Sequence, residues 1–262
     1  MSAPRAARPR PQEAFHAPRT RRPRRLTIRR RVGVLLRFPA GIALVSWRYV
    51  WRVTALHRTE TEGDRGDLPP PLPAELVDER SKLLADGAGP MFHRRFSVRI
   101  EGSGMTPESL MSAVAADVNR AAPSAAAVFH KTAGVPGTAQ VADEYRVQMP
   151  GPWDGPVRVV HRDATSLRLA TLTGHLEAGQ IEFRTASDRG CLVFEVETWA
   201  RGGDRWADLL YSRLRMAKEI QFNMWVHFCL RTARFSGGRS RGGVTVVTRA
   251  VPEPVCLAAR GC

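Results

Sequence analysis

The stretch that decides the fold is residues 191–234, CLVFEVETWARGGDRWADLLYSRLRMAKEIQFNMWVHFCLRTAR. Its first ten residues alternate apolar and polar side chains, which predicts a β-strand with one buried face. After Gly202 and Gly203, Asp204 can cap a helix whose apolar period continues to Arg234. Such a helix must lie against an apolar surface, and the side chains that would face that surface are Leu210, Leu214, Ala217, Gln221, Met224 and Phe228.

The sheet that would receive this helix is predicted upstream of it. Phe92–Ile100 alternates apolar and charged residues as a strand does, and Thr106 and Pro107 can begin a helix that extends to Ala121. Hairpin-length connections between the later strands predict an antiparallel meander. The fold class is therefore α+β, with a curved antiparallel sheet wrapped around a long C-terminal helix. The strands of the meander are predicted at Ala126–Lys131, Val141–Met149, Val157–His161, Leu167–Thr173, Gln180–Ala186 and Cys191–Ala200.

The net charge of +15 is concentrated at the start of the chain. Residues 1–58 carry 15 arginines and one acidic residue, Glu13, whereas residues 59–262 carry 25 basic and 24 acidic residues. The high isoelectric point therefore describes this N-terminal arm, residues 1–58, rather than the domain. A partner of the arm should be anionic.

Composition divides the chain into five parts. Residues 1–31 are rich in Arg and Pro and poor in apolar side chains, which predicts a disordered tail. Residues 32–58 are predicted as a basic amphipathic helix, and residues 59–90, with three consecutive prolines, as an extended linker. Residues 91–251 then form the domain, with a final strand-like segment near its end, and residues 252–262 an irregular tail.

Three functions for the arm stay open. A disordered Arg-rich tail followed by a Trp-bearing helix can bind an anionic membrane surface. It can also bind nucleic acid through phosphates, which the Gly237–Gly243 loop with its arginines weakly favours. Alternatively, the arm only improves solubility, and its helix docks on the domain. The residues that would contact an anionic surface are Arg29, Arg30, Arg31, Trp47, Arg48, Trp51 and Arg52.

No motif in the sequence indicates a metal site or a cofactor. The four cysteines show neither a CxxC pair nor zinc-ligand spacing, and a reducing cytoplasm is the simplest interpretation. Only ten uncharged residues lie between Arg37 and Arg48, far fewer than the roughly 20 that a membrane-spanning helix needs. We expect a cytoplasmic protein, with peripheral attachment at the inner membrane surface as an alternative.

Short sequence motifs resemble a known family. Met91-Phe-His-Arg-Arg, Met149-Pro-Gly-Pro-Trp153, Gly174-His-Leu-Glu-Ala-Gly179 and Ile181-Glu-Phe183 resemble a bacterial and plant family described only as a domain of unknown function. Trp47-Arg-Tyr-Val-Trp51 is similar to its actinobacterial members. The order of elements resembles the helix-grip fold of START-like lipid-transfer domains, birch-pollen-allergen-like proteins and polyketide cyclases. This resemblance implies a cavity between the sheet and the long helix, and assigns no chemistry.

Candidate acid-base residues cluster in one part of the sequence. His175 and Glu177 lie at a strand junction, with Glu182 further along, and such a set could transfer protons to a bound ligand. The alternative, which we favour, is a turn whose polar side chains hold the backbone. Gln221 interrupts the apolar stripe of the helix, either as a polar group of a cavity or as a satisfied core residue. Aromatic side chains suited to a cavity mouth are Tyr145, Trp153, Trp199 and Trp225.

Strand 191–200 offers a second set of carboxylates. If its apolar face meets the helix, Glu195 and Glu197 are solvated, which is the prediction that we favour; the reverse orientation would point both inward. The leading functional hypothesis is a protein that binds a small hydrophobic or amphipathic ligand, such as a lipid or isoprenoid, between sheet and helix. The alternatives are a cyclase- or hydrolase-type enzyme using the same cavity, and an adaptor that acts through the arm.

Overall fold

The structure is a computed structural model that describes residues 56–123, 127–149, 154–202 and 215–258, with the backbone alone for 215–220 and 257–258. The described strands are β1 (Leu56–Glu62), β2 (Ala88–Glu101), β3 (Val128–Ala133), β4 (Glu144–Gln148), β5 (Asp154–Arg162), β6 (Ser166–Thr171), β7 (Glu177–Asp188), β8 (Cys191–Gly202) and β9 (Arg239–Val251). The α-helices are α1 (Pro107–Ala116), α2 (Arg215–Phe235) and α3 (Glu253–Ala258). Short 3-10 helices lie at Arg65–Asp67, Ala74–Leu76, Leu84–Asp86 and Val118–Arg120.

All described strands belong to one large curved sheet, in the order β1-β9-β2-β8-β7-β6-β5-β4-β3. Strands β3 to β8 pair with their neighbours in sequence as an antiparallel meander, which the short connections predicted. Strand β9 pairs antiparallel with β2, and β1 pairs parallel with β9. The α+β class and the mostly antiparallel sheet are thus confirmed.

Local sequence explains where the first elements begin. On β2, Phe96, Val98 and Ile100 are buried in the core, because alternate residues of a strand point to the same face. The Thr106 side chain accepts a hydrogen bond from the backbone N–H of Ser109, and Pro107 is the first residue of α1. The helix ends at Ala116 rather than at the predicted Ala121, and a separate 3-10 turn follows it.

Helix α2 packs against β2, β8 and β9. We call the sheet face that carries this contact the inner face. On it the Phe228 ring stacks on Phe183, with centroids 4.9 Å apart, and on Phe194 at 5.9 Å. The predicted start of the helix at Asp204 lies outside the described residues, so its predicted length is not confirmed. It is not the C-terminal element either, since β9 and α3 follow it.

The predicted linker at residues 59–90 was wrong. Residues 56–62 form β1, so the proposed arm helix at 32–58 cannot include its last three residues; the arm before residue 56 lies outside the described residues. Residues 63–87, which we call the strap, lie on the outer face of the sheet, opposite α2. Two hydrogen bonds hold the strap to the middle of the sheet: the Lys82 backbone N–H donates to the Thr171 carbonyl, and the Gln180 side-chain Nε2 donates to the Pro70 carbonyl. Sequence alone showed neither partner.

Two C-terminal predictions were also wrong. Strand β9 begins at Arg239, so most of the predicted Gly237–Gly243 loop is strand. The predicted irregular tail at 252–262 contains α3, whose Glu253 Oε1 accepts a hydrogen bond of 2.7 Å from Arg201 Nη2. Arg201 is almost fully buried, and its guanidinium also donates to backbone carbonyls of the strap and of β2. This arginine fastens the start and the end of the domain to the end of β8.

Candidate functional site

A small cavity lies between the inner face and α2, and we call it the inner cavity. The described residues enclose a volume of about 80 Å³. Its wall is mainly apolar, and its polar side chains lie at the end of the sheet where β7 begins and β8 ends. Principal wall residues are Phe129, Val157, Leu169, Ile181, Met224 and Trp225.

Two residues singled out in the sequence meet in this cavity. Gln221, on α2, donates from Nε2 to Glu177 Oε2 at 2.7 Å, and Glu177, the first residue of β7, is buried. The bond joins helix to sheet beside an apolar wall. Gln221 therefore interrupts the apolar stripe because it has a polar partner across the interface.

His175 lines the same cavity but is held as part of a turn. Its Nδ1 lies 3.0 Å from the backbone nitrogen of Glu177, and its own carbonyl accepts a hydrogen bond from Lys82 Nζ at 2.6 Å. Burial of the ring, followed by the charge of Lys82, lowers the pKa of His175 to about 4. The ring is therefore neutral near pH 7, and a neutral ring with its proton on Nε2 accepts the Glu177 N–H. Such a group is a weak base, and its contacts are those of a structural residue.

Trp225 brings an unsatisfied donor to the inner cavity. The residue is 7% exposed, and its Nε1 is buried without a hydrogen-bond partner among the residues that the structure describes. Its ring packs edge-on to Phe183, with centroids 6.0 Å apart. A buried indole N–H normally finds an acceptor, so this one indicates a place for an acceptor inside the cavity.

Other sequence candidates lie elsewhere. Tyr145 is buried in the core beside Lys131, whose Nζ lies 5.5 Å from the ring centroid, and it is not part of the cavity wall. Glu182 lies on the outer face, paired with Arg184 at 3.0 Å, so it cannot share a ligand with His175. Trp153 and all the arm residues proposed for anionic surfaces lie outside the described part of the chain.

The prediction that Glu197 is solvated was wrong. It does point away from α2, but the strap covers it and leaves its side chain 3% exposed. Glu197 Oε1 lies 2.7 Å from His93 Nε2, and Asp67 Oδ1, from the strap, lies 3.0 Å from His93 Nδ1. Burial raises the pKa of Glu197, but hydrogen bonds from His93 and Arg95 outweigh it and lower this pKa to about 2. Glu195, on the same face, is partly exposed and pairs with Arg95.

A second and larger cavity lies beside this cluster, between strap and sheet, and we call it the outer cavity. Its volume is about 360 Å³. The Trp199 indole stacks on His93, with centroids 5.3 Å apart and planes 8° apart, and lines this cavity as well as the rim of the inner one. Sequence reasoning missed the cluster, although His93 and Arg95 lie in the Met91–Arg95 motif. Its remaining wall residues are Gly66, Leu68, Pro70, Val247 and Arg249.

Within the described ranges, no set of three or more His, Cys, Asp or Glu side chains is arranged to hold a metal ion. None of the described helices is both long and apolar enough to span a bilayer. Cys191, Cys229 and Cys256 are buried free thiols.

Solved structures resemble the chain only weakly. DynU16, from the dynemicin biosynthetic locus, is 16% identical over 57% of this chain and 49% of its own, with a TM-score of 0.38. The chain thus spans about half the length of DynU16. Ara h 8.0201 is 13% identical, with 55% and 97% covered and a TM-score of 0.35. Thalictrum flavum norcoclaurine synthase, solved with dopamine and hydroxybenzaldehyde, is 11% identical, with 56% and 87% covered and a TM-score of 0.38. Likenesses at this level carry no argument about function.

The family comparison is more informative. A search of the curated proteins finds no match. A family model described as a domain of unknown function, DUF1990, matches residues 58–231, which begin within β1 and end within α2. The match includes the strap and the described wall of the inner cavity, whereas two wall residues of the outer cavity, Val247 and Arg249, lie beyond it. Because it covers well over half of the 262 residues, the protein belongs to the DUF1990 family.

Proposed function

We propose that this protein binds a small amphipathic molecule in the inner cavity, gripped between the sheet and α2 as in a helix-grip fold. The observation that carries the proposal is the buried Trp225 N–H, which lacks a partner in the described structure and belongs to an apolar wall. A ligand with an apolar body and one acceptor oxygen would satisfy that donor. Small-molecule sites commonly combine an apolar wall with a few placed polar groups.

The volume of the cavity limits the ligand. Pockets for drug-sized ligands have volumes of roughly 300–1,000 Å³, whereas the described residues enclose about 80 Å³. A whole lipid or isoprenoid does not fit in that volume, so we propose a small ligand or the narrow end of a longer one. Met149 and Met224 belong to the wall, and their flexible side chains can repack around different shapes.

The polar end of the cavity would orient the ligand. The Gln221–Glu177 bond and the His175 turn are fixed by protein partners, so they offer a rigid polar boundary. We propose binding rather than catalysis because the three acid-base candidates do not converge on one point. Glu182 lies on the other face of the sheet, and the lowered pKa of His175 makes it a weak base near pH 7.

Two isosteric probes test this proposal on the full chain. Cyclohexanone carries an acceptor oxygen where methylenecyclohexane carries carbon, so only the ketone can accept from Trp225. We expect the ketone to bind about 5- to 10-fold more tightly, the value of one net hydrogen bond, and Trp225→Phe to remove that preference. Tyr145→Phe, which removes a hydroxyl from a core residue outside the cavity wall, is the matched control and should retain it. The proposal is wrong if neither probe binds, or if the preference survives in Trp225→Phe.

A role for the arm stays a separate prediction. Binding to anionic membranes or nucleic acid would require its arginines, and a truncation can test this by cosedimentation with anionic vesicles or RNA. The truncation should remove residues 1–55 only, because Leu56 begins β1, which pairs with β9. Unchanged sedimentation of the truncated protein would argue against the adaptor hypothesis.

A further inference from the structure

The outer cavity has the dimensions of a ligand site of its own. Its volume of about 360 Å³ exceeds that of the inner cavity and lies within the usual range for small-molecule sites. One wall is the strap and the other is the outer face of β2, β8 and β9. Charged groups buried there cost free energy unless each has a partner.

Most of the carboxylate oxygens around this cavity already have donors. Asp67 Oδ1 faces His93 Nδ1 at 3.0 Å and Arg249 Nε at 3.3 Å, and its Oδ2 accepts from the Asp64 N–H at 3.0 Å. Glu197 Oε1 faces His93 Nε2 at 2.7 Å and Arg95 Nη2 at 2.9 Å. The second oxygen of Glu197 lies 2.8 Å from an arginine of β7, Arg184. Three of these four carboxylate oxygens thus take part in hydrogen bonds, whereas Glu197 Oε2 has the ion-pair contact with Arg184 but no hydrogen bond among the described residues.

Some of the N–H donors around the outer cavity have no acceptor among the described residues. Trp199 is 3% exposed, and its Nε1 is buried without a partner among the described residues. A guanidinium carries five N–H donors. Arg95 uses Nε and Nη2 on Glu195 and Glu197, and Arg249 uses Nε and Nη1 on Asp67 and the Thr61 hydroxyl. One terminal nitrogen of each arginine therefore has no partner in the described part of the chain.

We propose that the outer cavity binds a small molecule through an oxyanion, a carboxylate or a phosphate. The one buried carboxylate oxygen without a hydrogen bond among the described residues, Glu197 Oε2, already lies 2.8 Å from a guanidinium nitrogen. The groups left for a ligand are therefore donors, two of them on cations, and the complementary group is a negatively charged acceptor. The oxyanion would accept from Trp199 Nε1 and from Arg95 and Arg249, two half-exposed arginines of the cavity wall that each keep an unused terminal nitrogen. This site is separate from the inner cavity and lies on the other face of the sheet.

The experiment uses full-length protein with inorganic phosphate and acetate as probes, against chloride at equal ionic strength. Binding is measured by calorimetry and by the indole N–H resonances of the protein, with the Trp199 signal identified by its absence in Trp199→Phe. We expect a saturable shift of that signal with at least one probe. Tighter binding of acetate would indicate a carboxylate ligand, and tighter binding of phosphate a phosphate ester.

Substitutions then show which residues bind the probes. Trp199→Phe keeps an aromatic ring but removes the donor, and we expect about 10-fold weaker binding, the loss of one bond to a charged group. Arg249→Lys keeps the charge but loses the planar guanidinium, which can donate two parallel hydrogen bonds to an oxyanion, so it should also weaken binding. Arg241→Lys, on the same strand but exposed and paired with Glu101, is the matched control. The proposal fails if neither probe saturates, or if folded Trp199→Phe, checked by circular dichroism, binds as wild type does.

Discussion

The two faces of the central sheet are buried by different means. On the inner face, α2 covers aromatic and aliphatic side chains, with Phe228 stacked on both Phe183 and Phe194. On the outer face, the strap covers an ionic network in which His93 lies between two carboxylates. Apolar burial needs only volume and shape, whereas buried charges need a partner at each atom. The inner face should therefore tolerate exchange of one apolar side chain for another of similar size, whereas the outer face depends on a few specific residues.

Removing the aromatic centre should cause the largest loss of stability. Phe228→Ala deletes a fully buried ring, and we expect the free energy of unfolding to fall by about 3–5 kcal/mol. Denaturant unfolding followed by circular dichroism measures it. Val135→Ala, at a position 72% exposed, is the control and should change stability by less than about 0.5 kcal/mol. A loss below about 1 kcal/mol for Phe228→Ala would mean that the inner face does not depend on this stack.

The second largest loss of stability should follow from neutralising Glu197, at the centre of the ionic network on the outer face. Glu197→Gln removes the charge that faces His93, Arg95 and Arg184, and we expect a loss of about 1.5–3 kcal/mol. Glu101→Gln is the matched control: it also pairs with an arginine but is half-exposed, so it should cost less than about 1 kcal/mol. Equal effects of the two substitutions in denaturant unfolding would show that the strap gives Glu197 no special environment.

Close packing at the polar end of the inner cavity can be tested at a glycine. A Cβ added to Gly155 would lie 2.8 Å from His175 Nε2, so Gly155→Ala should cost about 1–3 kcal/mol of stability. Gly104→Ala, where a Cβ meets nothing within 4 Å, is the control. Adding His175→Ala to Gly155→Ala should recover part of the loss, measured as a coupling in a double-mutant cycle. Strict additivity would contradict this contact.

The faces should also lose stability in different pH ranges. The pKa of His175 is lowered from 6.5 to about 4, so its neutral form stabilises the fold above pH 6.5, and this stability is lost as pH falls towards 4. The pKa of Glu197 is lowered from 4.5 to about 2, so its contribution is present above pH 4.5 and lost as pH falls towards 2. Each proton contributes a slope of at most about 1.4 kcal/mol per pH unit.

Unfolding measured across this range separates the two contributions. His175→Gln should flatten the dependence between pH 6.5 and 4, and Glu197→Gln should flatten it below pH 4.5. The assignment of these two pH ranges to the two faces is refuted if His175→Gln changes the pH dependence of stability only below pH 4.5, or if Glu197→Gln changes it only above pH 4.5.

Much of the fold was predictable because it depends on local pattern. Period-two alternation located β2 and β8, and the Thr106 cap with Pro107 located the start of α1. The strap was missed because prolines and polar residues are typical of linkers, and its bonds to Thr171 and Gln180 join residues far apart in sequence. Strand β1 was missed for the same reason, since its partner β9 lies at the other end of the chain.

The candidate sites divide in a similar way. His175, Glu177, Gln221 and Trp225 were singled out in the sequence, and the structure places all four around the inner cavity. Glu182 was grouped with them by proximity in sequence, but strand alternation turns it to the other face. The outer cavity could not be predicted, because it forms only when residues near 67, 93, 197 and 249 come together.

The sequence by itself determined which residues face α2, since the spacing of apolar side chains follows from strand and helix geometry. It also determined the start of α1 through local capping. Only the tertiary structure decided that the opposite face is buried. Covering that face depends on the path of residues 63–87 over strands distant in sequence, and hydrogen bonds formed after the chain has folded leave no periodic pattern in it.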